Sequence, residues 1–408
     1  MENSAPAPQR REKFQIKSSR LYVFIPYLIS TLLGFSIAGY QFSLSDISME
    51  FGMGNSGMGI IATARAIGMI VMPILVSFIA DKLPKKRMAQ IFGWVYVAFS
   101  LFMGFGGRNF YIVLLCVFFI YSCSTTLYAS LVVILAETAP QKTNQFSNIL
   151  GLVNSIGSMV YPIILGALMG RGMSWRGHYF ILSALVGLTL LAFFFIAPEK
   201  VYQVEMRKDE EKKKFNWRDT RFLALCLLLF LNVVMDTSIG YFAKPFFASE
   251  LNSASGAAIC ISIINGGMLP AKYFASRVRK RKREMIFITF LGLAGATLLM
   301  AAVRGTVTSL IWCLVCGIFL GPQYATVQGL AVDIFPEHSG RVSMLLLPFS
   351  GAASALATVL MGELSDRIGA GNAFYPLVAI ALLSAVPAYL FMKDKRRAED
   401  EGKNAALS

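Results

Sequence analysis

Histidine, charge and clustered reactive groups are scarce in this chain, and each shortage excludes a class of function. Only two histidines, His178 and His338, stand among 408 residues. Both fall at the ends of apolar stretches, where solvation is expected. Neither neighbours the CxxC of Cys313 and Cys316, so the four N or S ligands of a zinc site are missing and the pair reads as helix packing. Cys116, Cys123, Cys226 and Cys260 also lie inside apolar runs, and no cysteine is placed for an external disulfide. No Walker sequence occurs, which excludes nucleotide hydrolysis as the expected energy source. No cluster of nucleophile, base or metal ligands is visible, so the chain does not read as an enzyme and no cofactor is expected. Charged residues make up 15% of the chain against 56% hydrophobic, with a mean hydropathy of +0.60. That balance cannot cover a core with a polar surface, and it points to lipid as the solvent.

What is present is long apolar runs. A run of about 20 residues crosses a roughly 30 Å hydrocarbon layer, and twelve such runs follow one another, at approximately 21–42, 57–80, 89–106, 110–136, 146–170, 179–197, 220–242, 256–275, 285–303, 308–335, 342–362 and 374–392. Strand alternation is absent, so helices rather than a barrel are expected to satisfy the backbone. The expected fold class is an all-α integral membrane protein. Its parts are a tail (1–20), six helices (21–197), a linker (198–219), six more helices (220–392) and a second tail (393–408). The charged linker segment PEKVYQVEMRKDEEKKKFNWRDTR is far longer than the other loops.

The net charge of +15 would suggest nucleic acid in a soluble protein. Its distribution gives another meaning. With the N-terminus placed in the cytosol, 30 of the 38 Lys and Arg residues fall on the cytosolic side, six outside and two, Arg65 and Lys272, within spans. The basic excess is therefore a topology signal: a multi-pass protein of the plasma membrane, a bacterial inner membrane, with both termini cytosolic, no nucleic-acid partner and a monomeric state. No cleavable signal peptide is recognised, because the first run is full length.

The stretch LYASLVVILAETAP, Leu127 to Pro140, returns 196 positions later as QYATVQGLAVDIFP, Gln323 to Pro336. The same offset pairs Tyr128 with Tyr324, Glu137 with Asp333, Gly166 with Gly362, Arg171 with Arg367 and Tyr179 with Tyr375. Earlier it drifts, pairing Pro73 with Pro270 and the Gly39, Tyr40 dipeptide with Gly240, Tyr241. The halves read as parallel six-helix repeats, an arrangement that puts a solute cavity between two bundles able to rock against each other.

SFIADKLPKKR, Ser77 to Arg87, resembles the loop signature of the major facilitator superfamily, in the required place between spans two and three. Asp81, Lys82, Lys85 and Lys86 match it, while Ser77 and Pro84 replace its glycines. The resemblance covers Leu21 to Met392 and implies two pseudo-symmetric six-helix bundles. SLSDISMEF, NILGLVNSIG and GPQYATVQGLA resemble the fucose and glucose permease branch of that superfamily, which implies a transport role for Asp46; the branch's second acid, in span four, is missing before Glu137. Gly157, Pro162 and Gly166 half-resemble an antiporter signature, which implies export as the alternative.

Ionisable groups inside lipid are costly and tend to face the bundle interior. Arg65 offers a fork of donors to an anionic or hydroxyl-rich solute; the other reading is an ion pair with Asp236 or Asp46 that closes the outer gate. Asp46 and Asp236 are the expected coupling acids. Lys272 is expected to snorkel to the interface. Because spans one, four, seven and ten line the cavity in the fold that the resemblance implies, Tyr40, Gln41, Tyr128, Gln323, Tyr324 and Gln328 join Arg65 as expected solute contacts. Asp81, Lys82, Lys85, Lys86, Glu137 and Asp333 are expected at the inner gate, with Glu137 held by the first basic loop and Asp333 by the second. The expected function is secondary transport of a small polar solute, a sugar or an organic anion, with protons as coupling ion and symport as the direction; the alternative is a proton-coupled drug or metabolite exporter.

Overall fold

A computed structural model describes residues 16–17, 19–80, 84–138, 143–197, 218–278, 281–335 and 339–389. Its helices are α1 (Ser19–Glu50), α2 (Gly54–Ala80), α3 (Lys85–Gly106), α4 (Phe110–Thr138), α5 (Thr143–Gly170), α6 (Arg176–Phe195), α7 (Thr220–Pro245), α8 (Ala254–Arg277), α9 (Lys282–Ala302), α10 (Thr306–Leu320), α11 (Gln323–Ile334), α12 (Ser339–Ile368) and α13 (375–389). Among the described residues eleven stretches are long and apolar enough to cross a membrane. The tenth joins α10 to α11, because Pro322 has no backbone N–H and the helix breaks at Gly321–Pro322. The thirty-residue α12 fits a twelfth crossing by length, but its serines, Glu363 and Asp366 make it more polar than the rest. Asp366 and Ser365 bond α2 and Ser354 bonds α7, the two helices that α12 packs against, while Glu363 pairs with Arg367 of the same helix.

Several spans run longer than their apolar cores suggest. α1 continues eight residues past the expected end, since nothing between Phe42 and Glu50 breaks a helix; it stops before Gly52, whose φ of 68° suits glycine. α7 likewise continues to Pro245 and closes on a π-turn, Phe246–Glu250. Its start is capped by Asp219, whose carboxylate accepts the Arg221 backbone N–H.

Ties at the helix ends show the alternation of direction. Ile16 pairs with Ile196, which puts the start of α1 beside the end of α6; we call this side the linker face. On the same face Lys86 Nζ donates to the carbonyls of Phe194 and Ile196, satisfying orphan acceptors at the end of α6. On the opposite, distal face Glu50 at the end of α1 takes a fork from Arg176 at the start of α6, at 3.0 and 2.6 Å. The second half repeats the device: Glu250 meets Arg304 at 3.2 Å and the Gly371 backbone N–H at 2.5 Å.

The repeat also governs packing. A Cβ on Gly68 would lie 2.5 Å from the Phe118 carbonyl oxygen, and one on Gly267 would lie 2.4 Å from that of Leu314. These are equivalent contacts, α2 on α4 and α8 on α10, where two backbones touch and only glycine fits. Gly267→Val is therefore expected to force the helices apart at a cost of about 1–3 kcal/mol, the usual penalty of overpacking. A thermal midpoint in detergent within a degree of the wild type would contradict that close approach.

The candidate solute chamber between the bundles

Arg65 projects from α2 into the seam between the bundles. Its Nη1 donates to the hydroxyl of Tyr241 on α7, and its guanidinium lies 5.3 Å from the Tyr40 ring and 4.9 Å from the Tyr121 ring. Tyr40 and Tyr241 are the repeat mates seen in the sequence, and their ring centroids stand 5.9 Å apart across the seam. A cation over aromatic faces is stabilised without losing its donors. Nε of Arg65 and the Tyr40 hydroxyl are buried without a hydrogen-bond partner among the described residues. The arrangement thus holds a fixed positive charge with donor capacity to spare, which suits an anion or a hydroxyl.

The other reading of Arg65, an ion pair with Asp46 or Asp236, is not formed among the described residues. Asp46 is taken by Lys244 on α7, whose Nζ also donates to the Phe42 carbonyl at 2.7 Å and sits 4.1 Å from the Phe42 ring. The reason is helix length: with α1 and α7 both extended, their distal ends meet above the level of Arg65. Asp236 is half-buried in α7 and lies in the electrostatic field of Lys272 and of Arg65. Lys272 is exposed, and its Nζ lies 3.4 Å from Ser155 Oγ on α5, across the seam.

Other expected residues divide. The Gln41 amide lies beside Gly240 of α7, also across the seam. Tyr128 is half-buried with its hydroxyl beside Gly151 of α5, Tyr324 is 38% exposed and Gln328 is half-buried. Gln323 is fully buried, and its carbonyl oxygen accepts the Asn232 amide at 2.6 Å, which ties α11 to α7 within one bundle and turns the residue away from solvent. Of the expected linker-face residues, Asp333 meets Lys282 at 2.7 Å and Lys86 caps α6. Lys85 is half-buried at the start of α3. Asp81, Lys82 and the Glu137 side chain lie outside the described residues, as does His338. His178 is not solvated: it is fully buried under Gly39 with Nδ1 2.9 Å from the Tyr161 hydroxyl, because α6 begins before it. All six cysteines are buried and free.

Sequence reasoning missed the distal closure. The carboxylate of Asp366, near the end of α12, accepts the backbone N–H groups of Asn55 at 2.9 Å and Ser56 at 2.8 Å, capping α2 from the other bundle. Asn55 Nδ2 adds a bond of 3.2 Å to Ser365 Oγ. Its only sequence signal was an acid placed at the distal end of a span. Tyr241 and Tyr121 were also passed over, although Tyr241 was flagged by the repeat as the mate of Tyr40.

Residues 27–347 and 225–406 match the Major Facilitator Superfamily. The chain belongs to that superfamily. As a member of a transporter family it is not an enzyme. The probable sulfoacetate transporter SauU of Cupriavidus necator is 23% identical over 362 residues, covering 79% of this chain and 82% of that one. The superfamily fold is also evident in solved structures. A bacterial homologue of the human lysosomal transporter Spinster, in an inward-facing and occupied conformation, matches with a TM-score of 0.76 at 14% identity over 93% of this chain and 98% of that one. The D-xylose-proton symporter gives 0.76 at 12% identity over 91% and 97%. FucP in the outward conformation gives 0.62 at 17% identity over 91% and 99%.

Proposed function

We propose that this superfamily member carries a small organic anion by alternating access, binding it at Arg65 and coupling its movement to protons through Asp236. The observation that carries the reading is the guanidinium of Arg65, set in the seam on three tyrosines with no carboxylate bound to it among the described residues. An unpaired cation in a low-dielectric chamber is costly on its own and is offset when an anion arrives. The relative whose name specifies sulfoacetate, an anion, fits that chemistry. With the basic loops cytosolic, the linker face is the inner side of a plasma membrane. Lys244–Asp46 and Asp366–α2 then close the outer side, while α4 packs on α1, α2, α3 and α5, and α11 on α7, α9, α10 and α12, each within its own bundle. That arrangement supports a chamber facing the cytosol. Lys86 and the Lys282–Asp333 pair, together with Asp81, Lys82, Lys85 and Glu137, are proposed to brace the inner ends as the bundles rock.

The test is binding and flux with defined probes. Isothermal calorimetry should give heat with sulfoacetate and none with D-xylose; the reverse pattern would remove the anion reading. Coupling is tested separately. Asp236→Asn is expected to abolish accumulation driven by a proton gradient in proteoliposomes while leaving solute exchange intact, because an amide cannot carry the proton. Undiminished driven uptake in that variant would take Asp236 out of the coupling path.

A further inference from the structure

Lys272 is an ionisable group in the seam that the reading above leaves without a task. It stands five residues before the end of α8, and its Nζ reaches Ser155 Oγ of the opposite bundle at 3.4 Å. Side chains on a helix lean toward its N-terminus. Because α8 begins at the distal face, Lys272 leans toward the midplane, where Asp236 lies in its field and in that of Arg65. Neither cation closes a salt bridge on that acid among the described residues. Three ionisable groups, from α2, α7 and α8, therefore lie along the seam, two positive and one negative.

Their spacing follows from the repeat. Gly68 and Gly267 are equivalent, as their matching contacts show. Arg65 precedes the first by three residues and Lys272 follows the second by five, so the two cations differ in depth by eight positions, or by ten when Pro73 is paired with Pro270, roughly 12–15 Å along the helix axis at 1.5 Å per residue.

We propose that Lys272 forms a second anion subsite, so that the solute is a short anion with two acidic groups, one held by Arg65 and the other by Lys272. The proposal rests on the reading of Arg65 as the first subsite. It explains why α8 carries a cation at a depth where its repeat mate in α2 carries none, and why that cation reaches a side chain of the opposite bundle.

Calorimetry on the purified full chain compares two-headed with single-headed probes: glutarate against butyrate, and sulfoacetate against methanesulfonate. The wild type is expected to bind a two-headed probe at least tenfold more tightly than its single-headed partner. K272Q should reduce that preference below about threefold with single-headed binding unchanged, and K272R should restore most of it. K272M serves where K272Q lowers the thermal midpoint of the ligand-free protein. A preference that survives in K272Q and K272M, or is absent from the wild type, overturns the second subsite and leaves Arg65 standing. R65Q that keeps its affinity for every probe overturns the first subsite instead, and a wild type that binds none of the four overturns both.

Discussion

Arg65→Lys is expected to weaken binding of sulfoacetate by roughly ten- to a hundredfold while the protein stays folded. A guanidinium presents parallel donors in one plane, so it can hold an acid group with two bonds while still donating to Tyr241. An ammonium has three donors at a point and a shorter reach from α2, and it cannot serve both. Hydrogen bonds to a charged group contribute about 1.5–3 kcal/mol each, and about 1.4 kcal/mol is tenfold in affinity. Loss of one such bond gives the expected range. The tyrosine faces tolerate either cation, so the fold should survive. Calorimetry reads the result directly. An unchanged dissociation constant would remove Arg65 from the site and reduce it to a packing residue.

The second large effect concerns the distal closure. Asp46→Asn combined with Asp366→Ala is expected to move the resting population from a chamber open at the linker face to one open at the distal face. The first change removes the charge that holds Lys244 across the seam, and the second uncovers two N–H groups at the start of α2. Capping contacts contribute about 0.5–2 kcal/mol, and Asp366 is exposed, which screens its charge. A shift on the order of tenfold in the equilibrium is the reasonable scale. Spin labels at the distal ends of α1 and α7 should report longer distances in the double variant. Distributions that coincide with the wild type would show that these contacts do not set the resting state.

The division between what was legible in the sequence and what was not follows the physics. Spans are legible because hydrocarbon imposes a length and forbids unsatisfied backbone, so α1 to α10 appear as apolar runs. Their ends were short by several residues at Glu50 and Pro245, since helices project beyond the apolar layer and hydropathy does not register the projection. Arg65 and Asp236 were visible as charges in lipid. Their partners were not, because a pair such as Asp46 and Lys244, or Asp366 and the start of α2, joins residues some 200 to 300 positions apart whose meeting depends on how two bundles dock. Gln323, a polar residue on a span read as cavity-lining, is bonded to Asn232 inside its own bundle, a contact that polarity alone does not distinguish from solute binding. Only the repeat carried long-range information, and it already linked Tyr40 to Tyr241, the two rings that meet beside Arg65.

Counterflow in proteoliposomes tests the central claim most directly. Vesicles loaded with unlabelled sulfoacetate and diluted into labelled sulfoacetate should show transient accumulation with the wild-type chain, and Arg65→Gln should abolish it. Counterflow of labelled D-xylose in the same vesicles, with none for sulfoacetate, would contradict the account.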